Sequence, residues 1–581
     1  MVQLLLSVLF LLISTSCYSL TDDSFSEELF IKPLPTGHVY SYFQFTTKWD
    51  VDIRNNEAFT HFRLFPKSIG EILVKYHVEE LHLSLTQGLW KSKKWGYPVI
   101  SAPPGAQLWV WFKDSVKDVN TVWKDLTNAL SGQFCASLNF IDETNTIIPN
   151  WTFRPEGIRQ NGFNRSLIRY ASLPRENVCT ENLTPWKKLL PCGSEQGLST
   201  LLDAVDLFNS HYNSLNVKIR SVCTTENCQK SSLELSQSVS VVSQPPQLKQ
   251  KKRNWSLFRL FGTTLFSSCS LAENSRILVD VTSNKTGDRF YLHPAPSEFV
   301  NIPSRHQNLA VYNVKDFIEN DKKINIEGRY PEDISHSRIP SPVLYAHRFI
   351  AGIGQERGEI RCEIYNKNRK NVTIMYQEVV PWFIRIYLSK LKIISHPREN
   401  RLNRYHTIKP VSKYYKPGKD RQSPAHLELI FQLPPQSITE VSLEFERGFL
   451  KWTEHPPDAN HGFYISAAVI SAIISPSANY TSISVTSSLL YNGFKDDSLS
   501  SYFLRIYTET LLISLPTPDF SMPYNVICLA CTVVALAFGP LHNITTKSLV
   551  AIDPDEKTGL IHKIKSFIFK KKSDHEEKKN N

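Results

Sequence analysis

The sequence predicts a mainly β fold with some α: sandwich-like β-sheet domains, a mixed α/β N-terminal part and one C-terminal transmembrane helix. Three observations carry that expectation. Apolar residues alternate with polar ones in short runs through the second half, as Val441, Leu443 and Phe445 do against Ser442, Glu444 and Glu446. Helical spacing is confined to two stretches of the first half. One long apolar run, Val526 to Leu541, stands near the C-terminal end. The 581 residues are 41% hydrophobic and 11% aromatic, enough apolar mass for large cores, which excludes wholesale disorder. With 34 Pro against 22 Gly and no long repeat, collagen-like and solenoid architectures fail. The net charge of +11 is spread thinly and singles out no class of partner.

The elements follow in chain order. Leu4 to Ile13 reads as the apolar core of a signal peptide, and Cys17 and Ser19 fit the small positions before cleavage, so residues 1–19 are expected to be removed. Residues 20–245 form the mixed α/β N-terminal part. There Asp114 to Leu130 places Val116, Val119, Val122, Trp123, Leu126 and Leu130 at helical spacing. Ser194 to Tyr212 repeats the pattern with Leu198, Leu201, Leu202, Val205, Leu207 and Phe208. The polar, basic stretch Ser243 to Arg253 carries a Pro pair and marks the internal boundary. The β-rich second part then runs over 246–523. Its strand-like runs are Ile277–Val281, Glu359–Tyr365, Val372–Tyr376, Trp382–Leu388, Leu427–Leu433 up to the Pro434-Pro435 turn, and Tyr502–Tyr507. Pro397 to Arg421 holds eight Lys/Arg against Glu399 and Asp420 and reads as a solvated basic loop.

Residues 524–544 form the span. The segment before it is poor in charge, whereas residues 545–581 hold nine Lys and six Asp/Glu, so the positive-inside rule puts this basic tail in the cytosol. Signal plus one C-proximal span gives a single-pass type I protein with its bulk in the lumen. Lys578 and Lys579 stand four and three residues from the end and match the dilysine retrieval address of endoplasmic reticulum membrane proteins.

Seven Cys fall in the lumenal part: Cys135, Cys179, Cys192, Cys223, Cys228, Cys269 and Cys362. The compartment favours disulfides. Seven is odd, so at least one is left for an intermolecular bridge, a free thiol or a buried unpaired position. Cys223 and Cys228 are close enough to pair in a small loop. Cys179 and Cys192 are near enough in sequence to pair as well. Glycan acceptor sequons stand at Asn150, Asn164, Asn182, Asn254, Asn284, Asn371 and Asn479.

No GxSxG, HExxH or phosphate-binding loop occurs, and His77-Val-Glu-Glu-Leu lacks a second His. No pattern asks for a metal or cofactor, and none points to nucleic acid. A lumenal membrane-anchored hydrolase or lipid-modifying enzyme stays open as the alternative, because catalytic groups assemble in space rather than in sequence.

Two segments are more specific: Leu173 to Cys192, LPRENVCTENLTPWKKLLPC, and Leu515 to Leu529, LPTPDFSMPYNVICL. With Asn254–Phe261, Lys451–Tyr464 and Phe503–Glu509 they resemble the PIG-T family, the T subunit of the glycosylphosphatidylinositol (GPI) transamidase. The resemblance implies a noncatalytic scaffold in the complex that attaches preassembled GPI anchors to precursor proteins. It implies a catalytic caspase-like subunit and other membrane subunits as partners, with GPI lipid and precursor met indirectly or at the membrane interface. It implies an interchain disulfide to the catalytic subunit through Cys179, with Cys192 as the runner-up.

Overall fold

The computed structural model describes residues 23–548 apart from 54–58, 158–163, 224–229, 246–251, 284–288, 304–306, 319–322, 332–341, 353, 355, 399–404, 475–487, 496–500 and 518–520, together with 560 and 563–566. The signal sequence, Cys228, Asn284, Asn479, Lys578 and Lys579 lie outside the described residues.

Strands dominate, as the alternation predicts. An 11-stranded sheet is built on β1 (Asp23–Pro33), β2 (Val39–Trp49), β3 (Val78–Gln87), β4 (Gly105–Phe112), β5 (Thr146–Ile147), β6 (Ile168–Leu173), β7 (Tyr212–Cys223) and β8 (Ser231–Ser243). Three later strands complete it: Asn274–Asp280, Glu298–Ile302 and Gln307–Asn313. The strand Asn274–Asp280 runs parallel to β1, with Leu29 opposite Ile277 and Ile31 opposite Val279. The expected boundary at 245/246 is therefore displaced. Arg253 and its neighbours do interrupt the chain, but the strands beyond them return to the first sheet, and the separate sandwich starts only at Leu344.

Both faces of this sheet are covered, so its central strands are buried throughout rather than half-solvated. One face carries Phe25, Leu29, Phe43, Leu83 and Leu108 and packs against helices Lys67–Lys75 and Val119–Phe134. The second helix starts later than its apolar spacing suggests. Asp118 caps it by accepting from the Asn120 and Thr121 amides, and Val119, Trp123, Leu126, Leu130 and Phe134 face inward. The expected helix over Ser194–Tyr212 is broken instead. A 3-10 turn, Gly197–Leu201, ends at Leu202, and Asp203 caps a separate short helix, Ala204–Phe208. Tyr212 already begins β7. Leu198, Leu201, Leu202 and Leu207 are buried all the same. A turn followed by a short helix meets the same core as one continuous helix, so the spacing does not separate the two.

The opposite face packs on the C-terminal sandwich. Trp109, Trp111, Ile168 and Tyr170 meet Ala467, Val469 and Tyr507 in one apolar cluster. Gln107 donates to the Tyr507 hydroxyl at 2.9 Å, and Glu428 accepts the amides of Asn150 and Trp151, both at 2.7 Å. The sandwich pairs a six-stranded sheet, Leu344–Ala351 through His406–Thr407, with a five-stranded sheet, Ser412–Lys416 through Tyr502–Tyr507. Their inner faces share Cys362, Ile364, Tyr376, Leu427, Leu429, Phe431, Val441, Leu443 and Ile470. Pro434-Pro435 is where the chain crosses between the sheets: Ala425–Leu433 pairs with Val372–Val380, and Ser437–Arg447 pairs with Arg357–Asn366. A buried ion pair, Arg348 to Glu378, ties one sheet to the other. The stretch read as a basic loop, 397–421, supplies strands to both sheets through His406–Thr407 and Ser412–Lys416. Its Lys413 and Lys416 project outward while its backbone pairs, which composition alone does not reveal.

Residues 517–581 form a separate unit. Its helix Ser521–Thr546 has 26 residues, about 39 Å at 1.5 Å per residue, and is long and apolar enough to cross a membrane.

Candidate functional site

The segment Leu173–Cys192 is held by its apolar residues and presents its polar ones. Val178, Leu183, Trp186, Leu189 and Leu190 are buried against the first sheet. The indole of Trp186 donates to the Asn216 carbonyl at 3.2 Å, and Gln237 donates to the Trp186 carbonyl at 2.9 Å, so the segment is tied to β7 and β8. Lys187 donates to the Leu202 carbonyl at 3.0 Å. Cys179 sits immediately before the helix Thr180–Lys187, and its thiol is free and exposed. An exposed thiol on a rigid support suits covalent capture of a partner.

Cys192 has the opposite setting. It is bonded to Cys269, a fully buried residue, across a sequence separation of 77. This overturns Cys192 as the runner-up bridging residue and removes the Cys179–Cys192 alternative, since Cys192 has no thiol to offer. The bridge lies in a tightly packed region. Gly197, at φ +76°, lies so close that an added Cβ would stand 2.8 Å from the Cys269 Cβ and 2.5 Å from Glu27 Oε2. The Leu198 amide and the Ser275 hydroxyl donate to Glu27 at 2.9 and 2.6 Å. Burial nevertheless pushes the Glu27 carboxyl up to about 7, and that of its neighbour Glu28 to about 6. Cys223 is disulfide-bonded. Cys362 is free but lies in the sandwich core, where burial pushes its thiol well above the ordinary value. Cys135 is free and exposed.

Two of the glycan acceptors are corrected. Asn182 is buried, and its Nδ2 donates to the carbonyls of Phe134 and Cys135 at 3.1 and 2.9 Å. Asn150 is buried beneath the sandwich strand that carries Glu428. A glycosylated Asn needs a surface position, so these two sequons serve packing. Asn164 and Asn371 are exposed, and Asn254 is half-buried with its side chain accepting the Tyr330 amide at 2.8 Å.

Two cavities bear on the enzyme alternative. A cleft of about 180 Å³ lies between the first sheet and the sandwich, lined by His82, Trp109, Glu156, Lys218, Arg505 and Tyr507. Several of its polar groups are already engaged: His82 with Glu80, Glu156 with Lys218, and Arg505 with the Thr152 carbonyl and the Phe153 ring. The His82 ring also stacks on Trp109 with centroids 3.8 Å apart. A groove of about 640 Å³ runs between the helix Val119–Phe134 and the Lys416–Ser423 turn. Among the described residues no group of three or more His, Cys, Asp or Glu is arranged to hold a metal ion.

The sequence profile described as "Gpi16 subunit, GPI transamidase component" matches residues 6–254 and 244–571, which cover both the sheet and the sandwich. The chain belongs to this family. It is 45% identical over 553 residues to the human GPI-anchor transamidase component PIGT, covering 94% of each chain. It is 32% identical over 600 residues to the Saccharomyces cerevisiae GPI transamidase component GPI16, again covering 94% of each. A Schizosaccharomyces pombe PIG-T homolog is 29% identical over 570 residues, covering 95% of each. These relatives match over nearly their whole length, and the profile reaches residue 571.

Proposed function

We propose that this chain is a noncatalytic scaffold subunit of the GPI transamidase, which attaches preassembled GPI anchors to precursor proteins in the endoplasmic reticulum. It holds the catalytic caspase-like subunit through an interchain disulfide at Cys179. The observation that carries this reading is the free, exposed thiol of Cys179 on a segment whose buried Trp186 anchors it to the first sheet. A lumenal disulfide makes separation of the subunits require thiol–disulfide exchange at Cys179, and it contributes no nucleophile. The body is lumenal, the tail cytosolic, and Lys578-Lys579 returns the protein to the endoplasmic reticulum. Other membrane subunits are partners, and GPI lipid and precursor are met indirectly or at the membrane interface. Asn164, Asn254, Asn284, Asn371 and Asn479 are the remaining glycan acceptors, and Cys223 pairs with Cys228.

The test is a nonreducing gel of the native complex from cells that express this chain in place of their own subunit. Cys179→Ser is expected to abolish the covalent species with the catalytic subunit while part of the complex still assembles. A covalent species that persists in Cys179→Ser refutes the bridge. Peptide cleavage by the purified full-length chain alone would refute its noncatalytic role.

A further inference from the structure

Cys135 is an exposed thiol close to Cys179, and the two are fixed by the same buried side chain. Cys135 ends the helix Val119–Phe134 with left-handed backbone angles, φ 51° and ψ 38°, a conformation that favours Gly or Asn. The Asn182 Oδ1 accepts the Cys179 amide at 2.8 Å, and its Nδ2 donates to the Cys135 carbonyl at 2.9 Å. A further bond joins the two chain segments: the Ser137 amide donates to Glu176 Oε1 at 2.8 Å. The two cysteines' main chains are therefore separated by one amide group and its hydrogen bonds. Both thiols are free and exposed. A disulfide needs Cα atoms about 5–6 Å apart, and Cys135 lies on a helix end, where local opening is easiest.

We propose that Cys135 and Cys179 form one dithiol site, in which Cys135 is the resolving thiol for a disulfide made at Cys179. The Cys135 thiolate, its proton released to water, attacks the Cys179 sulfur of a mixed disulfide with a thiol-bearing partner. The Cys135–Cys179 bond forms, the bond from Cys179 to the partner breaks, and the partner leaves as a thiolate that takes a proton from water. This exchange consumes no oxidant. In reverse, a partner thiolate attacks Cys179 of the closed pair and frees Cys135. In the unassembled chain, glutathione disulfide closes the pair in two exchanges and is reduced to two glutathione molecules. The interchain step rests on Cys179 being the bridge; the closure in the unassembled chain does not.

The experiment exposes the purified full-length chain to glutathione disulfide, blocks the remaining thiols and maps the peptides by mass spectrometry. The wild-type chain is expected to give a peptide pair linked through Cys135 and Cys179. Cys135→Ser is expected to retain glutathione on Cys179 at an occupancy about ten-fold higher. Glutathione persisting on wild-type Cys179 without a linked peptide overturns the proposal, and that reading needs no variant to fold. In the assembled complex, Cys135→Ser is expected to slow release of the covalent partner by glutathione about ten-fold; an unchanged rate also overturns it. If the covalent species survives Cys179→Ser, the scaffold reading of the bridge fails, while the linked peptide in the free chain is still decided separately.

Discussion

Cys179 and Cys192 close the two ends of one short segment, yet the fold gives them opposite chemistry. Cys179 stands before the helix Thr180–Lys187 with an exposed thiol, whereas Cys192 is locked to a buried Cys269. Between them Leu183, Trp186, Leu189 and Leu190 are buried. The segment is a strap: its middle is fixed by apolar burial, one end is stapled inward, and the other faces out. Cysteine number or spacing does not decide reactivity here. Distance from the core does, and Cys362 in the sandwich, buried with its thiol pushed well up, makes the same point.

The strongest test of the strap removes its anchor. Trp186 is 1% exposed, and Trp186→Ala should cost about 3–5 kcal/mol by leaving a cavity against β7 and β8. A large fall in the thermal midpoint of the purified chain, together with a weaker covalent species, is expected; an unchanged midpoint would remove the anchor from the account. Next comes the contrast itself. Cys192→Ser opens a disulfide spanning 77 residues and should destabilise by ~2–4 kcal/mol without abolishing the interchain species. Cys179→Ser should leave the stability within about 0.5 kcal/mol of wild type, because nothing in the core depends on its thiol. Equal midpoints for the two variants would erase the comparison.

The stapled end also carries a pH signature. Glu27 has its folded value raised to about 7 from an ordinary 4.5, so the folded chain binds more protons than the unfolded chain between those limits. Its contribution is complete below about 4.5 and is lost as pH rises through about 7. Up to ~3 kcal/mol is at stake, with Glu28 adding in the lower part of the window. Melting profiles from pH 5 to 8 should show Glu27→Gln with a flatter dependence and a higher midpoint at pH 7.5 than wild type. Parallel profiles would show that Glu27 keeps an ordinary value. The outward end depends on a buried clasp of its own. Asn182→Ala should cost ~1–2 kcal/mol by leaving the Cys135 carbonyl and the Cys179 amide unpaired, with no change in glycan mass. Loss of one glycan from that variant would show that Asn182 is a surface acceptor after all.

Much of the architecture was legible in local pattern. The strand Tyr502–Tyr507 has the bounds its alternation predicts, and Val441, Leu443 and Phe445 face inward as expected. Two readings failed for one shared reason. In Ser194–Tyr212 the Leu positions report a buried face, but a turn plus a capped short helix serves that face as well as a single helix. In 397–421 the charges report an exposed face and say nothing about backbone pairing. Side-chain pattern encodes which way residues point, not which segment their amides meet.

From the chain alone come the β-rich body with one apolar C-terminal span, the odd number of cysteines between residues 20 and 523 and the segments that carry the family resemblance. Each is a property of composition or short-range order, written in the residues themselves. The fold alone decides that the strand Asn274–Asp280 returns to lie parallel to β1 across the expected boundary, that Cys192 reaches Cys269, and that the Asn182 sequon is a buried clasp between Cys135 and Cys179. These are pairings between residues far apart in sequence. They are set by which surfaces bury together, and the free energy of that burial belongs to the packed whole rather than to any one segment.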